Sequence, residues 1–188
     1  PFEYQNGAQW DWFGGRLIYT MYENGYSARA TEKLLQIIHK NIANRGFFEW
    51  DNREGVGLGS DSFCGSAGVL AKAVIEGYFG IQLEKGGVRL EPRLGDDSSR
   101  IHIYQPATDA FLAYDHQYEP ENQRITLRLN SNLRGTLWLR ILIPSPVREK
   151  TLAVLVDGRT MQAKVISENQ DTLVTLSTPI GRRTIVIQ

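Results

Sequence analysis

The 188-residue sequence has a single cysteine, Cys64, and carries no net charge, since 21 lysine and arginine residues balance 21 aspartate and glutamate residues. One cysteine excludes an internal disulfide framework and a zinc site built from several thiolates, and it favours the cytoplasm over an oxidising compartment. The balanced charge gives no electrostatic footprint for nucleic acid. No run of about 18 apolar residues predicts a membrane-spanning helix. We therefore expect neither a nucleic-acid partner nor a membrane.

The pattern of the residues that are present changes near residue 95. Aromatic residues concentrate in the first 50 positions, where apolar residues recur at helical spacings of three and four. After Asp96, short alternating apolar runs are separated by turn residues, which is typical of a β-sandwich. The sequence predicts a multi-domain α+β protein, with helices in residues 1–95 and an antiparallel β-sandwich in residues 96–188.

Three helices are predicted from periodicity, the second beginning at Ser27 and ending at Gly46. The short connection at residues 24–27 predicts that the first two pack as an antiparallel hairpin. The residues expected to be buried are Trp10, Phe13, Leu17 and Met21 in the first helix; Ala30, Thr31, Leu34, Leu35, Ile37, Ile38 and Ile42 in the second; and Ala67, Leu70, Ala71, Val74, Ile75 and Tyr78 in the third.

About eight strands are predicted in the second part. Their expected ranges are 101–104, 110–116, 124–129, 135–143, 151–157, 160–165, 172–175 and 183–187. Asp157-Gly158, placed between two apolar runs, is the strongest hairpin signal in the chain.

The first segment that could carry chemistry lies around the start of the first helix. Aromatic faces cover the C–H surfaces of sugars, while amides and carboxylates bind their hydroxyls. Trp10 and Phe13 are expected to be core anchors of the helix, whereas Asp11 lies off their stripe and could serve a site or the surface. The candidate sugar-binding residues are Tyr4, Gln5, Gln9, Trp10, Trp12 and, from a later loop, Trp50.

The second segment is Phe47-Phe48-Glu49-Trp50-Asp51-Asn52, followed by glycine at every second position from 55 to 59. Such glycine spacing predicts a long loop, and long loops in compact domains often carry function. Glu49 has aromatic neighbours, so desolvation could tune its pKa for proton transfer. In an extended segment Glu49 and Asp51 would point the same way. Because most loop glutamates are simply solvated, these residues alone leave the role of Glu49 open.

Other chemistries find little support in the sequence. The histidines, His39, His102 and His116, have no metal-ligand spacing. The serine cluster at residues 60–66 lacks a G-x-S-x-G frame, and the glycine-rich stretch lacks the lysine of a P-loop. We expect no metal and no cofactor.

Residues 47–67 resemble a known segment of the six-hairpin, (α/α)6-barrel glycosidases. The residues Phe47-Phe48-Glu49-Trp50-Asp51-Asn52, Gly55, Gly57, Ser62-Phe63 and Ser66-Ala67 are similar to the "F-Y-E-x-Y-D-P…G-x-G…F-x-W-S-A" segment of glycoside hydrolase family 63. The resemblance implies that residues 1–95 form the last helices of such a barrel. It also implies that Glu49 is the general base of an inverting hydrolysis.

A second set of motifs resembles the family 94 phosphorylases. The set comprises residues 6–10 (N-G-A-Q-W), 65–68 (G-S-A-G), 76–81 (E-G-Y-F-G-I) and 87–92 (G-V-R-L-E-P). In that family a histidine and a threonine help to hold phosphate, and the matching positions here are Trp12 and Cys64. Since neither side chain can donate to phosphate in that way, a hydrolase is favoured over a phosphorylase.

The resemblance implies a glycoside hydrolase that cleaves oligosaccharides with two carboxyl groups. The general acid would lie upstream, in helices that residues 1–95 are too short to contain, and Asp11 is the reserve candidate for the base or for a hydrogen bond to the sugar. The sequence opens on Pro1 rather than methionine, and we expect it to be the C-terminal part of a longer enzyme. The expected partners are an oligosaccharide and either the upstream part or a second copy. A phosphorylase and a non-catalytic carbohydrate-binding piece remain alternatives.

Overall fold

The computed structural model describes residues 3–145 and 152–188. The chain divides into two compact units, Pro1–Tyr78 and Phe79–Gln188. The described residues form a mixed α+β structure with three α-helices and mostly antiparallel sheets. Within these ranges no helix combines the length and apolar composition that crossing a membrane requires.

The first unit is built on three helices: α1 (Asp11–Glu23), α2 (Ser27–Asn44) and α3 (Cys64–Lys72). A π-helical segment, Ala73–Tyr78, continues α3. Their shared core comprises Ile18, Tyr22, Ala30, Leu34, Leu70 and Ala73.

The first two helices run antiparallel, which confirms the predicted hairpin. Near the turn, the Tyr22 hydroxyl lies 2.9 Å from the Thr31 hydroxyl. At the far end, Asn41 donates to the Asp11 carboxylate over 2.6 Å. Residues near the turn contact each other, and so do residues at the far ends of the two helices. The helices must therefore run in opposite directions.

The buried faces of α1 and α2 differ in part from those predicted. Phe13, Leu17 and Ile42 are 57%, 62% and 68% exposed. The side of α1 that is buried instead carries Asp11, Gly15, Ile18 and Tyr22. A Cβ at Gly15 would lie 2.8 Å from Val69 Cγ2, so the missing side chain lets α3 approach this face closely. The prediction is wrong for Phe13, Leu17 and Ile42, because an apolar count assigns no weight to a glycine or a buried aspartate. It is confirmed for Ala30 and Leu34 of α2, which are buried in the core.

The predicted long loop after α2 contains a short antiparallel hairpin. Its strands are β1 (Trp50–Asp51) and β2 (Gly57–Leu58), with Trp50 opposite Leu58 and Asp51 opposite Gly57. The alternate glycines serve packing as well as turning, because the Phe48 ring lies where a Cβ of Gly57 would be.

The described residues of the second unit form two sheets. Their strands are β3 (Ile81–Glu84), β4 (Gly87–Leu90), β5 (Ser99–Gln105), β6 (Ala110–Glu119), β7 (Arg124–Ser131), β8 (Thr136–Leu142), β9 (Val154–Val156), β10 (Arg159–Thr160), β11 (Lys164–Glu168), β12 (Asp171–Pro179) and β13 (Arg183–Ile187). One sheet has the order β10-β9-β13-β7-β6-β5 and the other the order β11-β12-β8-β4-β3.

In each sheet, strands show alternation of buried and more exposed residues. In β7, Leu127 and Leu129 are buried while Arg128 between them is exposed, and in β8, Leu137 and Leu139 are buried around the more exposed Trp138. This alternation is what a β-sandwich requires of each of its sheets.

Two features of the predicted β part need correction. The boundary between the compact units falls after Tyr78 rather than at residue 95, because β3 and β4 join the five-stranded sheet. The sheets are also not wholly antiparallel, since β4 pairs parallel with β8. A four-residue strand carries too few alternations to be recognised before its partner is known.

Most of the predicted strands from residue 99 onward are confirmed, and so is the hairpin at Asp157-Gly158. Both turn residues have positive φ, 52° and 79°, and they connect β9 to β10, as a two-residue primed turn requires. The predicted strand 160–165 is wrong: Thr160 pairs with β9, whereas Val165 pairs with β12 in the other sheet. Of the predicted strand 151–157, residue 151 lies outside the described residues.

Candidate functional site

The segment before α1 is tied to the hairpin by backbone hydrogen bonds. The Gln9 amide donates to the Asp51 carbonyl over 2.9 Å, and the Asp51 amide donates back over 2.8 Å. Residues far apart in sequence, those near Gln9 and those near Asp51, are thereby brought to one side of the first unit.

Glu49 lies at the end of the hairpin ladder. Its amide donates to the Ser60 carbonyl over 2.9 Å, and its Oε2 accepts from the Ser60 amide at 3.3 Å. Gly59, with φ of +73°, passes so close that a Cβ there would lie 2.8 Å from Oε2. The glycine thus makes room for the half-buried carboxylate, and the backbone holds it in place.

Glu49 and the aromatic residues before α1 share one cavity of 430 Å³, within the range typical of ligand pockets. We call it the aromatic pocket. It is lined by Tyr4, Gln5, Gly7, Ala8, Trp10, Trp12, Phe13 and Glu49.

The aromatic rings around this pocket support one another. The Tyr4 ring lies 5.1 Å from the Trp10 ring and 6.1 Å from the Trp50 ring, measured between centroids. The Trp12 and Phe13 rings are 4.9 Å apart, and the Arg16 guanidinium stacks over Trp12 at 4.4 Å. Tilted contacts of this kind fix ring orientations and leave a wall of aromatic surface beside a carboxylate.

Behind the hairpin lies a buried group of charged and amide side chains, which we call the Lys40 cluster: Asp11, Lys40, Asn41, Asn44 and Asp51. The Lys40 ammonium contacts Asp11 Oδ1 at 2.6 Å and also contacts the Asp51 carboxylate. Asn44 donates to Asp51 Oδ1 at 3.1 Å and to the Gly55 carbonyl at 2.9 Å. The cluster therefore joins α1, α2 and the hairpin.

The two aspartates of this cluster are almost fully buried, with Asp11 4% and Asp51 2% exposed. Burial raises the pKa of Asp51 above its ordinary value, against the opposing effect of the nearby Lys40 ammonium. The Lys40 charge is shared between the two carboxylates, and the amides of Asn41 and Asn44 complete their hydrogen bonding. The arrangement suits a structural anchor.

The structure brings together most of the candidate residues but not all. Tyr4, Gln5, Trp10, Trp12 and Glu49 line the aromatic pocket. Gln9 and Trp50 do not line it: Gln9 pairs through its backbone with Asp51, and the Trp50 ring contacts the Tyr4 ring. Asp11, the reserve base, faces Lys40 and Asn41 instead. Asp51 does not share the surroundings of Glu49, although only Trp50 lies between them in the sequence.

Sequence reasoning missed Phe13 as a lining residue, together with Lys40 and Asn44 as anchors. Phe13 was expected in the core, but it lies in the pocket wall on the exposed side of α1. One residue in the sequence could have indicated these anchors: Asn41 lies on the buried face of α2 with Ala30 and Leu34. A polar residue continuing a buried stripe indicates a buried partner.

No group of three or more histidine, cysteine, aspartate or glutamate side chains in residues 3–145 and 152–188 is arranged to hold a metal ion.

Comparison with known proteins finds no matching family model and no matching curated protein. Among solved structures, a GH127 β-L-arabinofuranosidase from Geobacillus stearothermophilus T6 is similar, with a TM-score of 0.43 and 12% identity over 76% of this chain and 24% of that one. A chain described as a glycoside hydrolase has a TM-score of 0.41 and 13% identity over 76% of this chain and 25% of its own. The chain spans about a quarter of the length of each. The family named is 127, whereas the sequence motifs resemble families 63 and 94.

Proposed function

We propose that this chain forms part of the active site of an inverting glycoside hydrolase, in which Glu49 is the general base and the aromatic pocket holds a sugar unit. The proposal keeps the prediction that the helices within residues 1–95 are the last helices of an (α/α)6 barrel of the six-hairpin kind.

The observation that carries the proposal is the position of Glu49 in the wall of the aromatic pocket, beside Trp12, Gln5 and Tyr4. Aromatic faces bind the C–H surface of a sugar ring, and the Gln5 amide can pair with its hydroxyls. A carboxylate at the edge of such a pocket can take a proton from a water molecule that attacks the anomeric carbon.

A second carboxyl group is needed to protonate the leaving oxygen, at about 6.5–9.5 Å from the base in an inverting enzyme. Among the described residues lining the pocket, Glu49 is the only carboxylate. Asp11 and Asp51 are occupied by Lys40. We therefore propose that the acid comes from another part of a longer protein, and that the 188-residue chain alone binds sugar without cleaving it.

The same observation favours a second candidate, a sugar-binding piece with no catalytic role. A pocket with one carboxylate is sufficient for binding, in which case Glu49 would only accept hydrogen bonds from sugar hydroxyls. The two candidates differ in what happens when Glu49 loses its charge.

Sugar binding is tested on the 188-residue chain by tryptophan fluorescence, titrated with neutral arabino-, xylo- and gluco-oligosaccharides. We expect at least one series to change the emission to saturation. Trp12→Ala should abolish the change, and Glu49→Gln should keep it. Trp138→Ala, which removes a partly exposed tryptophan of the second unit, is the matched control and should keep it too.

Catalysis is tested in the longer protein that supplies the acid. Glu49→Gln should lower turnover roughly a hundredfold to ten-thousandfold, and the first product anomer detected by NMR should be inverted. Unchanged turnover in Glu49→Gln would support the non-catalytic candidate. A requirement for inorganic phosphate would indicate a phosphorylase, and hydrolysis by the isolated chain would refute an acid supplied from elsewhere.

A further inference from the structure

The exposed face of the six-stranded sheet carries a second cleft, of 480 Å³. We call it the sheet-face cleft. Its walls are formed by Arg100, His102, Ala113, Asp115, Arg128 and Asn130, with the backbone of the strands between them. All of these residues belong to the second unit, so the inference is independent of the aromatic pocket and of the function proposed for it.

Strand register explains why a cleft forms here. Ala113 on β6 stands opposite His102 on β5 and opposite Asn130 on β7. Two residues along, Asp115 stands opposite Arg100 and Arg128. Since side chains on one face of a sheet recur every second residue, the small Ala113 methyl group is the floor and five longer side chains surround it.

The charges of the cleft are not balanced within it. Arg128 donates to Asp115 at 3.2 Å and to Gln117 at 2.8 Å, so this arginine and the aspartate offset each other. Arg100 is exposed and makes no ion pair within the described residues. One positive charge is left over, and a guanidinium suits the planar, bidentate geometry of a carboxylate.

Two further groups add directional contacts. Asn130 offers an amide that both donates and accepts. His102 offers ring nitrogens, and its ring meets Phe111 edge to face, with centroids 6.0 Å apart, which orients the imidazole. An apolar floor, a free guanidinium, an amide and an imidazole match a ring that carries C–H groups, hydroxyls and one carboxylate.

We propose that the sheet-face cleft binds an acidic sugar of the hexuronate class, with its carboxylate on Arg100, its hydroxyls toward Asn130 and His102, and its ring over Ala113. The cleft is a binding site only, because no nucleophile or pair of carboxyl groups faces it among its lining residues.

The test is a titration of the ¹⁵N-labelled 188-residue chain with sodium D-glucuronate, followed by NMR at constant ionic strength. We expect saturable shifts confined to the amides of β5, β6 and β7 around Ala113. D-glucose, which lacks the carboxylate, and inorganic phosphate, which lacks the ring, should not produce these shifts at the same concentrations.

Three variants test which side chains of the cleft are needed for binding. Arg100→Gln should weaken glucuronate binding about tenfold or more, since a hydrogen bond to a charged group is lost. Ala113→Leu should fill the floor and abolish binding. Arg134→Gln removes an exposed arginine outside the cleft and should leave the affinity unchanged.

The proposal would be overturned by the absence of saturable shifts with glucuronate, by equal binding of phosphate, or by unchanged affinity in Arg100→Gln. Arg100 is solvent-exposed, so that variant remains informative even if Ala113→Leu does not fold.

Discussion

The ammonium of Lys40 lies 2.6 Å from Oδ1 of Asp11, a residue 29 positions earlier in the chain. The same ammonium contacts the buried carboxylate of Asp51 on the hairpin. One cation thus fastens the first turn of α1 and strand β1 to the last part of α2. The elements that it joins are those that carry the aromatic residues and Glu49, so the shape of the aromatic pocket depends on a charge that does not line it.

Replacing Lys40 by methionine should destabilise the protein by about 3–5 kcal/mol, because two buried carboxylates would lose their counter-ion. Urea unfolding measures the loss. Lys33→Met, on the same helix, is the control, since Lys33 makes only exposed contacts with Glu32 and Gln36 and such contacts contribute about 0.5 kcal/mol or less. Adding Asp51→Asn to Lys40→Met should restore part of the stability. Equal effects of the two lysine substitutions would show that the cluster is not an anchor.

Gly59 and Gly68 should respond oppositely to substitution by alanine. Gly59 has φ of +73°, and an added Cβ would lie 2.7 Å from the Trp50 indole nitrogen and 2.8 Å from Glu49 Oε2. We expect Gly59→Ala to cost about 1–3 kcal/mol and to disturb sugar binding through Glu49. Gly68 lies within α3, and apart from its chain neighbours and the surrounding helix backbone no described atom lies within 4 Å of the added Cβ. Gly68→Ala should therefore stabilise by about 0.5–1 kcal/mol.

Urea unfolding of both glycine variants, with the oligosaccharide titration repeated on each, checks this contrast. Similar stabilities for the two variants would mean that the backbone at Gly59 relaxes freely. The position of the Glu49 carboxylate would then not depend on that glycine.

The sequence predicted the composition of the aromatic pocket better than its supports. Tyr4, Trp10, Trp12 and Glu49 stood out because aromatic, amide and carboxylate residues are dense over short stretches, and density is a local property. Lys40 and Asn44 did not stand out, because their role consists of contacts with Asp11 or Asp51. Those contacts depend on how the helices pack, which a local pattern does not show. The strands β3 and β4 were missed for the same reason. Gly87 pairs with Thr136, a contact that no local pattern reveals.

His116 should make stability fall as the pH decreases below about 6.5. The side chain is fully buried on β6, its Nδ1 lies 3.0 Å from the Asp97 carbonyl oxygen, and its Nε2 is buried without a hydrogen-bond partner among the described residues. Burial lowers the pKa of His116, outweighing the Asp97 carbonyl and the charges of Asp115 and Asp97, which raise it. The carbonyl accepts from Nδ1–H, and a second proton on Nε2 would put a charge in a site without an acceptor.

The direction of this pH dependence of stability follows from proton linkage. The unfolded chain takes up a proton at His116 near pH 6.5 while the folded chain does not, so the stabilising contribution is complete above pH 6.5 and is lost as the pH falls toward the lowered pKa of the folded state. The slope contributed by this residue is at most about 1.4 kcal/mol per pH unit.

Urea unfolding at several pH values between 5 and 7.5 measures that slope. His116→Asn keeps a donor for the Asp97 carbonyl but cannot titrate, so its stability should show a shallower pH dependence even though its absolute stability is lower. His102→Asn, at an exposed position, should retain the slope of the original chain. If His116→Asn and the original chain showed the same pH dependence of stability, other groups would cause the loss of stability at low pH. The pKa of His116 would then have to be the same in the folded and the unfolded chain.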